Sequence, residues 1–112
     1  MEAKNLNARE ASIQKRILLA LSEAFWPGIF WRQNAGKVQT IDGYWVELGP
    51  DGIADIVGFL DGGRAVFVEV KRRTGKQRKT QEAFQRAVTT GGAIYVVARS
   101  PEEAVRRVRA AI

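Results

Sequence analysis

The sequence contains no cysteine and no histidine. Without cysteine there are no disulfides, zinc fingers, iron–sulfur clusters or thiol nucleophiles. Without histidine there is no Ser-His-Asp triad, no zinc protease and no histidine-based metal nuclease. Any metal must be held by oxygen ligands, which suits Mg²⁺ or Mn²⁺. Long apolar runs are also missing. None approaches the roughly 20 residues of a membrane-spanning helix, and the charged N-terminus has no signal-peptide pattern. The expectation is a cytoplasmic protein with no membrane partner.

What is present is an ordinary globular mix of 46% hydrophobic and 27% charged residues over 112 positions. That length implies a single domain, residues 1–112. The net charge of +6 is unevenly placed. Residues 1–70 carry seven Lys/Arg against nine Asp/Glu, a balance of −2. Residues 71–112 carry eleven against three, a balance of +8. An acidic part that supplies carboxylates, followed by a basic part, suits a polyanionic substrate. Solubility alone is the blander explanation.

Hydrophobic spacing predicts a helix over 9–25, with Ile13, Ile17, Leu18, Leu21 and Phe25 on one face. Asn7 fits its N-cap and Glu10 the acid of a capping box. Trp26-Pro27-Gly28 ends it. Strands are predicted at 29–34, 37–41, 44–48, 54–60, 64–71 and 93–98. Asp42-Gly43 reads as a two-residue hairpin turn, and Asp61-Gly62-Gly63 joins a second hairpin. A helix over 76–90 places Gln77, Thr80, Gln81, Phe84 and Val88 on one side and stops at Gly91-Gly92. Ser100-Pro101 starts a last helix. The order α-β-β-β-β-β-α-β-α predicts an α/β fold, a mixed β-sheet flanked by helices.

The chemistry concentrates at VFVEVK, residues 66–71. Strand alternation puts Glu69 and Lys71 on one face with Phe67, opposite Val66, Val68 and Val70. A carboxylate and an ammonium on a central, otherwise apolar strand are costly unless paired with each other, a metal or a ligand. If 54–60 and 64–71 pair about Asp61-Gly63, residues whose numbers sum to 124 or 125 face each other. Asp55 then lies opposite Glu69 or Val70. Two carboxylates that close repel unless a cation lies between them. Asp55, Glu69 and a backbone carbonyl beyond Glu69, that of Val70, would hold the ion; as a Lewis acid it polarises a phosphate oxygen and acidifies water. Lys71 would orient the attacking water and stabilise charge on phosphorus. A plain Glu–Lys pair at a strand end is the competing explanation.

Asp55 followed by Glu69-Val70-Lys71 looks like the PD-(D/E)xK nuclease signature. The wider context resembles the VRR-NUC (virus-type replication–repair nuclease) branch: EASIQ at 10–14, WRQNAGK at 31–37, GIADIVGF at 52–59, FVEVKRRTGKQRKTQ at 67–81 and GGAIYVV at 91–97. The resemblance covers nearly the whole chain. It implies a restriction-endonuclease-like fold, Mg²⁺ or Mn²⁺, cleavage of branched or structured DNA in the manner of a Holliday-junction resolvase, and a homodimer. It makes Glu10 an acid near the metal, Asp55 and Glu69 the main ligands, Lys71 the catalytic lysine and Gln81 a catalytic polar residue. The proline of the family name is Ala54 here, which leaves the loop before Asp55 less rigid. A nuclease-like module that binds branched DNA or DNA ends without cutting is the alternative.

Other residues have two readings each. Glu10 is explained by capping alone, and Gln81 by a half-exposed amide. Arg72, Arg73, Lys76, Arg78 and Lys79 are either a solvated run or phosphate contacts beside the site. Asn34 and Lys37 are placed on the substrate side. Trp26, Trp31 and Trp45 can stack on bases, but a core or dimer-interface role is expected first.

Overall fold

The computed structural model describes residues 2–33, 36–73 and 75–112, with the side chains of residues 2–8 left aside. The chain forms α1 (Glu2–Ala24), β1 (Ile29–Arg32), β2 (Lys37–Gln39), β3 (Trp45–Glu47), β4 (Ile56–Phe59), β5 (Ala65–Val70), α2 (Lys79–Thr90), β6 (Ile94–Ala98) and α3 (Pro101–Ala111). The expected order is observed. Among the described residues no helix is long and apolar enough to cross a membrane.

Four strands form one sheet in the order β1-β4-β5-β6, and β2 and β3 form a separate pair. β4 pairs antiparallel with β1 and with β5, while β5 and β6 run parallel. A parallel neighbour needs a long crossover, and α2 supplies it. β5 is therefore interior, as its apolar composition requires. Val66, Val68 and Val70 are buried on one face with Ile56, Ile94 and Val96. Ile17 and Leu21 of α1 and Ala104 and Val108 of α3 complete that core. The other face carries Phe67 and Tyr95, both in ring contact with Phe84 of α2.

Several sequence expectations need correction. α1 begins at Glu2, so Asn7 lies inside the helix and Glu10 is not a capping-box acid. The stretch EAKNL holds enough helix-forming residues to extend the predicted helix by two turns. The turn at Asp42-Gly43 is a three-residue loop closed by Thr40 N–H donating to the Tyr44 carbonyl at 2.7 Å. Only Gly43 has a positive φ, +92°, as in a type I turn completed by a left-handed glycine. α2 starts at Lys79, three residues late, with Arg78 at its N-cap donating its N–H to Gln81 Oε1. The core role of the tryptophans fails: Trp26, Trp31 and Trp45 are 80%, 38% and 65% exposed. Trp31 faces away from the buried Phe30, and the β2–β3 hairpin buries neither face.

Candidate active site

The β4–β5 register pairs Ile56 with Val68. Continued by one residue, it sets Asp55 against Glu69, the sum of 124, which is one of the two registers the turn allowed. Asp55 is fixed at both ends. Its carbonyl accepts from Gln33 N–H at 2.7 Å, and its Oδ2 accepts from Val70 N–H at 2.8 Å. The loop before it is held by Gly52, where φ is +78° and a β-carbon would lie 2.1 Å from the Thr80 carbonyl oxygen. Only glycine lets this loop rest on the first turn of α2.

Glu69 is 3% exposed. Its Oε1 accepts from Gln81 Nε2 at 2.8 Å and lies 3.5 Å from Lys71 Nζ. Its Oε2 is buried with no hydrogen-bond partner. Burial, then the charge of Asp55 and a hydrogen bond with it, push the Glu69 carboxyl up to about 8, against the pull of Lys71. The two acids can share a hydrogen bond only when one is protonated. As two carboxylates they have no donor between them, and Oε2 is orphaned in a dry place. A buried polar atom without a partner is costly. Carboxylates are the hard oxygen donors that a divalent cation takes, so Asp55 and Glu69 fit Mg²⁺ or Mn²⁺.

Gln81 is 3% exposed, so the half-exposed amide is excluded. Its Oε1 accepts from Arg78 N–H at 2.8 Å, and this orients the amide with Nε2 towards Glu69. Lys71 sits just past the end of β5, its N–H donating to the Ala98 carbonyl at 3.0 Å. Its side chain is only 14% exposed.

Glu10 makes no hydrogen bond or ion pair with this group among the described residues. It is half-buried on α1, and among the described residues no three acidic side chains come together to hold one ion. Arg72, Arg73, Lys76, Arg78 and Lys79 are exposed on the segment after Lys71. No ion pair engages them among the described residues. Lys37 lies on the separate hairpin, exposed, 3.9 Å from Glu47. It lines a polar cleft of about 330 Å³ with Arg78 and Thr80. Asn34 lies outside the described residues. A cavity of about 600 Å³ lies between α1 and α3, but its one acid is Glu102, so it lacks a carboxylate pair.

Sequence reasoning missed four contributors: Gly52, Gly75, Tyr95 and Arg99. Tyr95 had a signal, since a hydroxyl inside the buried strand AIYVVA needs a partner. That partner is Gln77 Nε2, at 3.2 Å. Burial chiefly, with the charges of Glu69 and Asp55, pushes the Tyr95 phenol up to about 12, partly opposed by the bond from Gln77.

The chain has the fold of a solved structure described as a VRR_NUC domain, with a TM-score of 0.64 and 23% identity over 89% of this chain and 94% of that one. No family model matches the chain. No curated protein matches it either.

Proposed function

We propose that the protein is a metal-dependent, structure-selective DNA endonuclease that hydrolyses phosphodiester bonds in branched DNA, in the manner of a Holliday-junction resolvase. The observation that carries this reading is the buried, unpartnered Oε2 of Glu69 beside Asp55. A surface ion pair would not leave such an atom. Asp55, Glu69 and the Val70 carbonyl would hold Mg²⁺ or Mn²⁺. When bound, the ion supplies Lewis-acid polarisation of a phosphate oxygen and acidification of water.

The chain's own residues do the rest. Gln81 holds Glu69 Oε1 and leaves Oε2 free for the ion. Lys71 offers its ammonium beside that carboxylate, where it orients the attacking water and stabilises charge gathering on the phosphoryl oxygens. The exposed cations from Arg72 to Lys79 grip flanking phosphates. The VRR_NUC-type fold and the uneven charge support DNA as the polyanion. A two-fold dimer would present two such sites to a junction. Exposed Trp26, Ile29, Trp31 and Phe59 support a homodimer by leaving apolar surface to cover.

The test is cleavage of labelled four-way junction, flap, splayed and linear duplex DNA. Mg²⁺ or Mn²⁺ should support nicking of branched forms, EDTA should abolish it, and Lys71→Ala should bind without cutting. Equal cutting by Lys71→Ala and Glu69→Ala would sink the reading. Salt-sensitive binding with no metal-dependent product would instead favour the module that binds branched DNA or DNA ends without cutting.

A further inference from the structure

The segment between Lys71 and α2 is fastened at two points, to Tyr95 of β6 and to Arg99 just after it. Tyr95 lies on the α2-facing side of β6, and strand alternation carries that side through Val97 to Arg99. Tyr95 Oη accepts from Gln77 Nε2 at 3.2 Å, and the same amide donates to Gln85 Oε1 at 3.0 Å. Arg99 Nη2 donates to the Gly75 carbonyl at 3.0 Å. Gly75 N–H in turn donates to the Arg72 carbonyl at 2.9 Å and closes a turn.

That turn lies against Lys71. A β-carbon on Gly75 would sit 3.4 Å from Lys71 Cδ and 3.3 Å from the Arg72 carbonyl oxygen. The Gly75 backbone is thus one wall for the Lys71 stem, and Arg99 fixes where that wall stands. Lysine is a flexible four-carbon chain with much rotamer freedom to lose. Its ammonium stays beside Glu69 only while the stem is confined.

We propose that Arg99, with Tyr95, is a positioning residue for Lys71: it pins Gly75 so that the turn confines the Lys71 stem and holds Nζ at Glu69. The inference rests on the reading of Lys71 as the catalytic lysine. Arg99 touches neither metal nor reacting phosphate; it acts through the Gly75 carbonyl. Tyr95 acts through Gln77 on the other end of the same segment.

Two measurements on Arg99→Ala and Tyr95→Phe test it. Tyr95→Phe keeps the ring against Phe84 and removes only the acceptor, so it guards against a folding defect. The first measurement is acetylation of Lys71 by an amine-reactive reagent, in EDTA and without DNA, followed by peptide mass spectrometry. Lys37 serves as an exposed reference. Opening the wall should speed Lys71 modification about threefold while Lys37 is unchanged. Unchanged Lys71 reactivity in both variants overturns the proposal, even if the parent proves not to be a nuclease. The second is steady-state cleavage with Mg²⁺. For Arg99→Ala, kcat should fall about tenfold with KM little altered, as for a misplaced catalytic group. A rise in KM with kcat intact would make Arg99 a phosphate contact and overturn it.

Discussion

Gln81 donates from Nε2 to Glu69 Oε1 at 2.8 Å while its own Oε1 accepts the Arg78 N–H, also at 2.8 Å. One amide therefore closes the start of α2 and fixes the carboxylate opposite. The helix terminus and the site share a single side chain. Gln81→Ala removes both bonds in a buried place and should cost about 1.5–3 kcal/mol. The melting temperature should fall by several degrees, and nicking should fall further than stability alone explains. A variant that melts lower yet cuts at the parental rate would remove Gln81 from the site.

Glu69 predicts a pH-dependent stability in the absence of metal. Its folded-state pKa, about 8, lies above the ordinary carboxylate value, with burial the main cause and Asp55 next. The folded protein thus keeps a proton that the unfolded chain releases. Stability must fall as pH rises through the interval between the two values and level off above about 8. The slope for one proton is at most about 1.4 kcal/mol per pH unit. With no histidine in the chain, little else titrates there. Melting curves in EDTA from pH 5 to 9 should show the decline. Glu69→Gln should flatten it, and Mg²⁺ should lift the high-pH end. An unchanged slope in Glu69→Gln would mean another group is responsible.

Gly52 and Gly62 make a paired test of the loop that carries Asp55. Both have positive φ, +78° and +97°. A β-carbon at Gly62 meets nothing within 4 Å, whereas at Gly52 it lies 2.1 Å from the Thr80 carbonyl oxygen. Gly62→Ala should cost only backbone strain, about 1 kcal/mol. Gly52→Ala adds a collision with backbone that no rotamer relieves, so its cost should be larger by about 1–3 kcal/mol. It should also lose most cleavage, because it pushes the loop that leads into Asp55 away from the first turn of α2. Equal losses for the two variants, by thermal melt and nicking assay, would contradict the close approach.

Periodicity and turn chemistry made the sheet legible. The apolar run of β5 marked an interior strand, and Asp61-Gly62-Gly63 narrowed the register to two, one of which brings Asp55 to Glu69. The capping role of Glu10 was misread, because α1 runs past Asn7 back to Glu2. The start of α2 was misjudged because its cap is not a Ser, Thr, Asp or Asn: Gln81 Oε1 accepts the Arg78 N–H instead. The tryptophans were expected first in the core or at a dimer interface, and the core role fails. Trp31 alternates with the buried Phe30 on β1, and Trp45 lies on a hairpin strand whose residues are all exposed.

The last prediction concerns the cations after Lys71. Arg73 and Lys76 are exposed and have no ion pair among the described residues, whereas Lys37 stands 3.9 Å from Glu47. Each phosphate neutralised by a protein cation contributes about 0.9 to the slope of log affinity against log salt concentration. Replacing Arg73 and Lys76 together by Gln should therefore weaken binding to every DNA form alike and lower that slope by about 2. Lys37→Gln should lower it by less than 1, since Lys37 already has a counter-charge. Fluorescence anisotropy in EDTA across a salt series reads both. A parental slope in the Arg73/Lys76 double variant would move the phosphate track off this segment, leaving the uneven charge without a role in substrate binding.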